Sequence, residues 1–524
     1  MDDKEKQIDS AEKTDFNLNE VNPAEPVSEE TTAAGEKGRL TVWVVYATAI
    51  VSIFSSLQFG YNTGVMTAPS NHIRDFLNSS YQRYGELSET GLTWLYALTV
   101  SLYAIGGAVG ALAAAPMGDI LGRKGGLLLN NVFSISAGLM LGTCQLADNF
   151  ELLIMGRIII GFYAGAAITI VPLFLAEIPP KNLRGAVGVN HQLAITVGIL
   201  IVQCLGLFVL TSHDNWNILL ALTGVIGAVE VFLLPFCPES PRWLLLNDRD
   251  KEASEKALQK YLGQDDVSAA IKEMELEYAT ESKEPKVGIV GLFTNKNYRK
   301  PLLISICSHA GQQFSGINAI FFYATEIYGM IWPDDDDAVT YATVGTGAIN
   351  VAMTIISAFT GIPVHRNSIF TGIITLSLNL TNQQQDAWAY ISLACVYCYV
   401  ICFAIGPGPI PYILVAELWS QGPRPAAMSV SIQTNWLSNF VIGLTFPILQ
   451  EAIGAYTFLV YMCFLICTTV FTIFFVPETK NKTFEEIVSQ FRKDKDYDED
   501  NLELGALEAG QSDGKEGVSS PKTE

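Results

Sequence analysis

The segment Ala176-Glu177-Ile178-Pro179-Pro180-Lys181-Asn182-Leu183-Arg184 returns later in the chain as Ala416-Glu417-Leu418-Trp419-Ser420-Gln421-Gly422-Pro423-Arg424. In both copies an Ala-Glu pair closes an apolar run, and an Arg follows seven residues after the Glu. Glu417 lies 240 residues after Glu177. A second pair of motifs, Pro238-Glu239-Ser240 and Pro477-Glu478-Thr479, repeats at an offset of 239 residues. Two unlike motifs at almost one offset point to a duplicated unit.

The sequence around these motifs is too apolar for a soluble core. Of 524 residues, 49% are hydrophobic and only 16% charged, a balance that argues for a membrane protein. Runs such as 41–66, 126–147 and 455–476 are long enough to cross the roughly 30 Å hydrocarbon layer as helices. Twelve spans are expected, at about 41–66, 92–115, 126–147, 151–176, 186–210, 217–236, 300–328, 339–361, 367–381, 388–416, 426–449 and 455–476. The fold class expected is therefore an all-α membrane protein. Two six-helix bundles, 41–236 and 300–476, are joined by a linker at 237–299 and flanked by acidic tails at 1–40 and 477–524. Within the linker, 248–263 and 265–282 are charged and helical in period, with Leu258, Tyr261 and Leu262 forming an apolar stripe, so short helices under the bundle are expected.

The formal net charge of −21 sits mainly in the tails and the linker, where it reads as solvated and, in the tails, disordered. No basic patch suits nucleic acid. Residues 1–13 lack a positive stretch followed at once by an apolar one, so no cleavable signal peptide is expected. Arg123, Lys124, Lys181, Arg184, the stretch from Arg242 to Lys300, and Arg424 all fall on one side of the alternating spans. Basic residues are retained on the cytoplasmic side, which puts both termini there. The opposite loops 211–215, 332–337 and 382–386 carry no Lys or Arg, although the long first loop has Arg74 and Arg83. That orientation leaves Asn78-Ser79-Ser80 outside as a glycosylation acceptor. The nine cysteines lie in or beside apolar segments and read as packing residues, Cys395 and Cys398 included, since neither has His or carboxylate neighbours in sequence.

Charge is costly in hydrocarbon, so polar groups within spans mark the pathway or helix contacts. Here most are carboxamides: Asn62, Gln192, Gln312, Gln313, Asn318, Asn350, Asn435 and Asn439. Each offers donor and acceptor edges, which suit the hydroxyls of a polyol and supply no counter-ion. A neutral, hydroxyl-rich solute is implied. Phe321, Tyr323, Tyr412 and Trp436 could stack on the apolar face of a sugar ring. Gly311-Gln312-Gln313-Phe314-Ser315-Gly316 and Gly406-Pro407-Gly408-Pro409-Ile410-Pro411 interrupt spans seven and ten, and such breaks are tolerated where backbone lines a cavity or hinge. On the cytoplasmic side, Asp119, Arg123, Lys124, Arg157, Glu177, Arg184, Glu239 and Arg242 offer opposite charges that would pair when an inner gate is closed. Glu417, Arg424 and Glu478 are their counterparts in the second copy. No nucleophile and base pair, phosphate-cradling loop or metal-spaced ligand set stands out, so neither an enzyme nor a cofactor is expected. The carboxylates at 177, 239, 417 and 478 belong to the repeat rather than to a glycosidase cleft.

Between about 41 and 490 the chain resembles the sugar porter family of the major facilitator superfamily, in particular the facilitative glucose transporters of animals. The resemblance rests on GYNTGV at Gly60, HQLAITVGIL at His191, PESPRWLL at Pro238, QQFSGIN at Gln312, GPGPIP at Gly406, AELWSQGPRPAA at Ala416, NWLSNF at Asn435 and PETKNKTFEEI at Pro477. It implies twelve helices in two bundles, residence in the plasma membrane, and movement of a hexose down its gradient. It also implies hexose contacts at Gln192, Gln312, Gln313, Asn318, Asn350, Asn435, Trp436 and Asn439. Proton-driven relatives carry an Asp where this chain has Asn62, which favours uniport. Glu230, a carboxylate within span six, is what a proton-coupled symporter would use. A non-transporting sugar sensor is the rival of another class.

The chain departs from the family in places. It reads His309-Ala310-Gly311 where glucose-selective members have Gln-Leu-Ser, which is closer in character to fructose carriers. Ala404 replaces the usual acidic residue before GPGPIP, and Tyr412 the usual Trp after it. Between spans eight and nine the expected basic loop is replaced by Thr360 to Ser368, and the ninth helix is shortened: Ile369 to Leu380 would cover about 18 Å at 1.5 Å per residue.

Overall fold

The computed structural model describes residues 39–210, 215–246, 250–281, 287–360, 386–420 and 422–477. The expectations for the tails, for the ninth span and for Glu478 fall outside them. The described residues are helical throughout, without strands. Among the described residues, ten helices are long and apolar enough to cross a membrane.

Before the linker come α1 (Val42–Gly64), a short amphipathic α2 (Ser70–Tyr81), α3 (Glu89–Ile120), α4 (Gly122–Thr143), α5 (Phe150–Glu177), α6 (Arg184–Cys204) and α7 (Trp216–Leu233). The linker forms α8 (Pro241–Leu246), α9 (Lys251–Leu262), α10 (Ser268–Glu281) and α11 (Ile289–Thr294). After it come α12 (Arg299–Phe314), α13 (Ile317–Phe322), α14 (Ala324–Ile331), α15 (Asp336–Thr360), α16 (Asp386–Ile405), α17 (Ile410–Leu418), α18 (Arg424–Ile453) and α19 (Thr457–Phe475). The seventh span is thus three short helices and the tenth is two. Both break where the glycine- and proline-rich stretches predict. Sequence reading missed α2, which carries Asn78 on an exposed face, and the π-helical turn Val51–Ser56 within α1.

Small residues let the first helices meet backbone to backbone. A Cβ added at Gly106 or Gly110 of α3 would strike the carbonyls of Ile158 and Phe162, and one at Gly161 or Gly165 of α5 those of Tyr103 and Gly107. Between membrane helices, where hydrophobic exclusion drives little, this close approach supplies the dispersion that holds them. Helix starts are capped in the ordinary way: Ser88 accepts from Gly91 N and Asn149 from Leu152 N.

The linker helices pack beneath one end of the bundle, hereafter the linker end. Leu245, Leu258, Val267 and Ile271 form their own small core. Thr41 at the start of α1 donates to Tyr261 O at 2.8 Å, and the Tyr261 hydroxyl donates to Pro238 O at 2.7 Å. Lys181 pairs with Glu273, and Arg242 with Glu277 at 2.9 Å.

Candidate functional site

The helix break at the end of α12 assembles the site. Gly316 has φ +89°, a left-handed backbone that glycine adopts without strain. The turn it makes brings Asn318 of α13 back beside Gln313. The Tyr399 hydroxyl of α16 donates to Ser315 O at 2.8 Å, and Ser315 Oγ donates to Gln312 O at 2.6 Å, so the break is braced from a neighbouring helix. Sequence reading missed Tyr399, because one more aromatic in an apolar helix reads as packing.

Four carboxamides then form one chain. Asn318 Nδ2 donates to Gln313 Oε1 at 2.5 Å, Gln313 Nε2 to Asn435 Oδ1 at 3.0 Å, and Asn435 Nδ2 to Gln312 Oε1 at 2.6 Å. Gln312 Nε2 ends the chain on the carbonyls of Pro407 and Gly408, at 2.8 and 2.6 Å. Those terminal carbonyls only accept, so they orient every amide in the relay. Two helix breaks, α12–α13 and the 406–409 turn, are tied to the continuous helix α18 by uncharged groups. Gln313, Asn318 and Asn435 keep spare capacity for a hydroxyl ligand, whereas Gln312, with both N–H groups on the 407–408 carbonyls and Oε1 accepting from Asn435 and, at 3.5 Å, from Gln313, must exchange a bond to take one. Asn439, one turn along α18, is buried with its Oδ1 unpaired.

The other candidates stand apart from this relay. Asn350 is buried on α15, where its backbone carbonyl accepts from Thr354. Gln192 is exposed on α6, beside His191, whose Nδ1 meets Ser56 Oγ at 2.8 Å. Tyr412 packs edge-on against His309, with centroids 4.8 Å apart. Trp436 crosses to the other half, meeting Phe59 and Tyr103 edge-on at 6.1 and 5.9 Å and covering Gly107. In this conformation its ring is a contact between halves.

At the linker end, Arg123 grips Glu177 with two bonds, Nε to Oε2 at 3.0 Å and Nη2 to Oε1 at 2.9 Å, and reaches Asp119 at 3.5 Å. Ser240 Oγ donates to Glu177 at 2.5 Å. Glu239 accepts from the backbone N–H of Arg123, Lys124 and Ser240 at 3.0, 3.0 and 2.7 Å. A carboxylate seated on the first turn of α4 is stabilised by unpaired N–H groups and the helix dipole. Gly122, at φ +81°, opens that turn, and any Cβ there would strike this carboxylate. Beside the network, burial pushes the Cys237 thiol up to about 12, with Lys124 pulling it down, so it stays protonated.

Two expectations for this network need correction. Arg157 does not belong to it: twenty residues from Glu177 along α5, it lies about 30 Å away. It is fully buried, donates to Asn62 O at 3.2 Å, and lies over the Tyr103 ring at 4.6 Å. Arg242 Nη1 donates to Glu277 of the linker. Glu417 and Arg184 are exposed, and Arg424 Nε donates to Trp419 O at 2.9 Å, so the second copy does not reproduce the clamp of the first among the described residues.

Polar contacts tie the two halves together at the end opposite the linker. Arg74 pairs with Glu326 at 3.2 Å, Thr90 donates to Glu451 at 2.8 Å, and Thr67 and Thr325 exchange bonds with Phe321 O and Thr67 O at 2.7 Å. At the linker end the ion pairs Arg123–Glu177, Lys181–Glu273 and Arg242–Glu277 all lie within the first half and the linker. The conformation is closed at the far end.

This architecture is that of a major facilitator transporter. The structure resembles the xylose transporter XylE from E. coli in its partially occluded inward open conformation, with a TM-score of 0.72 at 24% identity, over 84% of this chain and 99% of that one. The inward open conformation of the same protein matches equally well, over 86% of this chain and 100% of that one. The family described as "Sugar (and other) transporter" matches residues 48–491, and the chain belongs to it. Relatives include solute carrier family 2, facilitated glucose transporter member 5, of Ovis aries, 42% identical over 90% of this chain and 95% of that one. The member 5 protein of Homo sapiens is 42% identical over 87% and 94%, and the member 3 protein of Ovis aries 40% identical over 86% and 93%.

Proposed function

We propose that this protein is a facilitative hexose uniporter of the plasma membrane, working by alternating access between the bundles 41–236 and 300–476. The linker end and both termini face the cytoplasm, and Asn78 is an extracellular glycosylation site. The amide relay from Asn318 to Gly408 carries this reading. It is buried, uncharged and built on helix breaks, so its hydrogen bonds can be traded for those of sugar hydroxyls at small net cost. Gln192, Asn350, Tyr412, Trp436 and Asn439 complete the sugar's surroundings as the halves rock. The clamp of Asp119, Arg123, Glu177 and Glu239, joined by Arg184, Arg242, Glu417, Arg424 and Glu478 as the gate opens and closes, biases the cytoplasmic gate.

Two features support uniport over proton coupling. Asn62 is an amide that donates to Gln58 O at 2.9 Å and Thr223 Oγ1 at 2.7 Å. Glu230 is wholly buried against α1, accepting from Ser55, and has no hydrogen bond to the relay. The test is flux of labelled glucose and fructose into proteoliposomes, with and without a pH gradient. Saturable uptake indifferent to the gradient is expected. Gln312→Ala strands Asn435 and the 407–408 carbonyls, and should abolish saturable uptake while the protein still inserts. Unchanged uptake would remove Gln312 from the site.

A further inference from the structure

Gln203 is an orphan. It is 1% exposed, and neither Oε1 nor Nε2 has a hydrogen-bond partner. Its amide lies on the seam between α6 of the first half and α15 of the second, pressed against Gly347, where any Cβ would strike its oxygen. Burying an amide with both edges unpaired is unfavourable, so the closed far end carries a polar group that closure does not satisfy. Such a residue is expected to find its partner in another state.

Helix geometry indicates which state. Gln203 follows Gln192 by eleven residues within the regular helix Arg184–Cys204. At 100° per residue the two side chains point within about 20° of each other, separated by about 16 Å along the axis. On α15, Gly347 and Asn350 share one face at i, i+3. Gln203 therefore extends the line of carboxamides from Gln192 and Asn350 toward the far end. When the halves part there, the seam opens and Gln203 lines the way in.

We propose that Gln203 is a sugar-binding residue of the entry path: in the outward-open state its amide hydrogen-bonds a hydroxyl of the arriving hexose, and closure packs it dry against Gly347. This rests on the hexose-transport reading. The contact exists on one side of the cycle only, so it contributes to affinity for external sugar and not for sugar leaving from inside.

The experiment uses the full chain in cells without other hexose carriers, comparing wild type with Gln203→Met, which keeps the length and removes both polar edges. Zero-trans entry and exit are measured with D-glucose, D-fructose and a set of monodeoxy-hexoses. The expected result is an entry half-saturation raised at least fivefold with exit changed less than twofold. For one hydroxyl position, the deoxygenation penalty seen in wild type should also collapse in the variant. A merely structural role would weaken all the deoxy sugars alike, and that result, or equal changes in entry and exit, overturns the proposal. Should Gln203→Met not reach the membrane, Gln203→Cys labelled by an impermeant thiol reagent replaces it: protection by D-glucose or D-fructose supports the contact, and labelling indifferent to both overturns it. Wild type without saturable hexose flux would sink the transport reading itself, and this inference with it.

Discussion

In the half before the linker, α3 and α5 touch backbone to backbone through Gly107 and Gly165, and a two-bond ion pair, Arg123 to Glu177, locks one end. In the half after it, α12, α13 and α18 are broken or polar where they meet, and carboxamides bridge them. Backbone contact fits one separation only, because a packed interface has no slack. Amide bonds can be exchanged for bonds to water or a hydroxyl with little change in free energy. The two halves thus differ in kind: the first is held stiffly by backbone contact, and the second is bridged by hydrogen bonds that a hydroxyl ligand could replace.

Substitutions can break or sharpen that contrast. Gly165→Leu should do the most damage, since its side chain has nowhere to go but the Gly107 carbonyl; overpacking of this kind costs about 3 kcal/mol. A large fall in the melting temperature of the purified protein checks it, and an unchanged melt would mean that this backbone contact is soft. Glu177→Gln leaves Arg123 nearly buried with only the exposed Asp119 as an anionic side-chain partner. Stripping one member from such a pair costs about 3 kcal/mol, somewhat less with that compensation, and the melt should fall almost as far. Tyr399→Phe removes the brace on the break at Ser315 for about 1 kcal/mol. Here the melt should barely move while the half-saturation for sugar rises several-fold, the reverse of the first-half pattern. The smallest effect is expected from Arg74→Gln, which loosens a half-buried pair worth up to about 1 kcal/mol. It should raise the reactivity of far-end cysteine probes up to about fivefold and leave the fold intact.

The contrast also shows how much could be read in advance. The breaks at 311–316 and 406–411 were legible because glycine and proline disturb helices whatever surrounds them. The amides Gln312, Gln313, Asn318 and Asn435 were legible because a polar group in an apolar span needs a reason. Less could be said of partners. Arg157 looked like a gate charge, and only its distance along α5 and its seat over Tyr103 remove it. Glu239 looked like a partner for an arginine side chain, yet it holds the first turn of α4. Trp436 looked like a stacking surface for sugar and here bridges the halves.

The residues alone determined the spans, their polar interruptions and the duplication, since these depend on solvation and helix propensity along one chain. Tertiary structure alone decided which helices meet, which way each amide points, and where Gln203 is left unpaired. In a soluble protein, apolar faces mark the core and so foretell much of the packing. In hydrocarbon the lipid-facing surface is as apolar as the interior, as exposed Leu139, Phe232 and Phe474 illustrate. The sequence pattern therefore carries little information about neighbours, and only close approach of the helices supplies it.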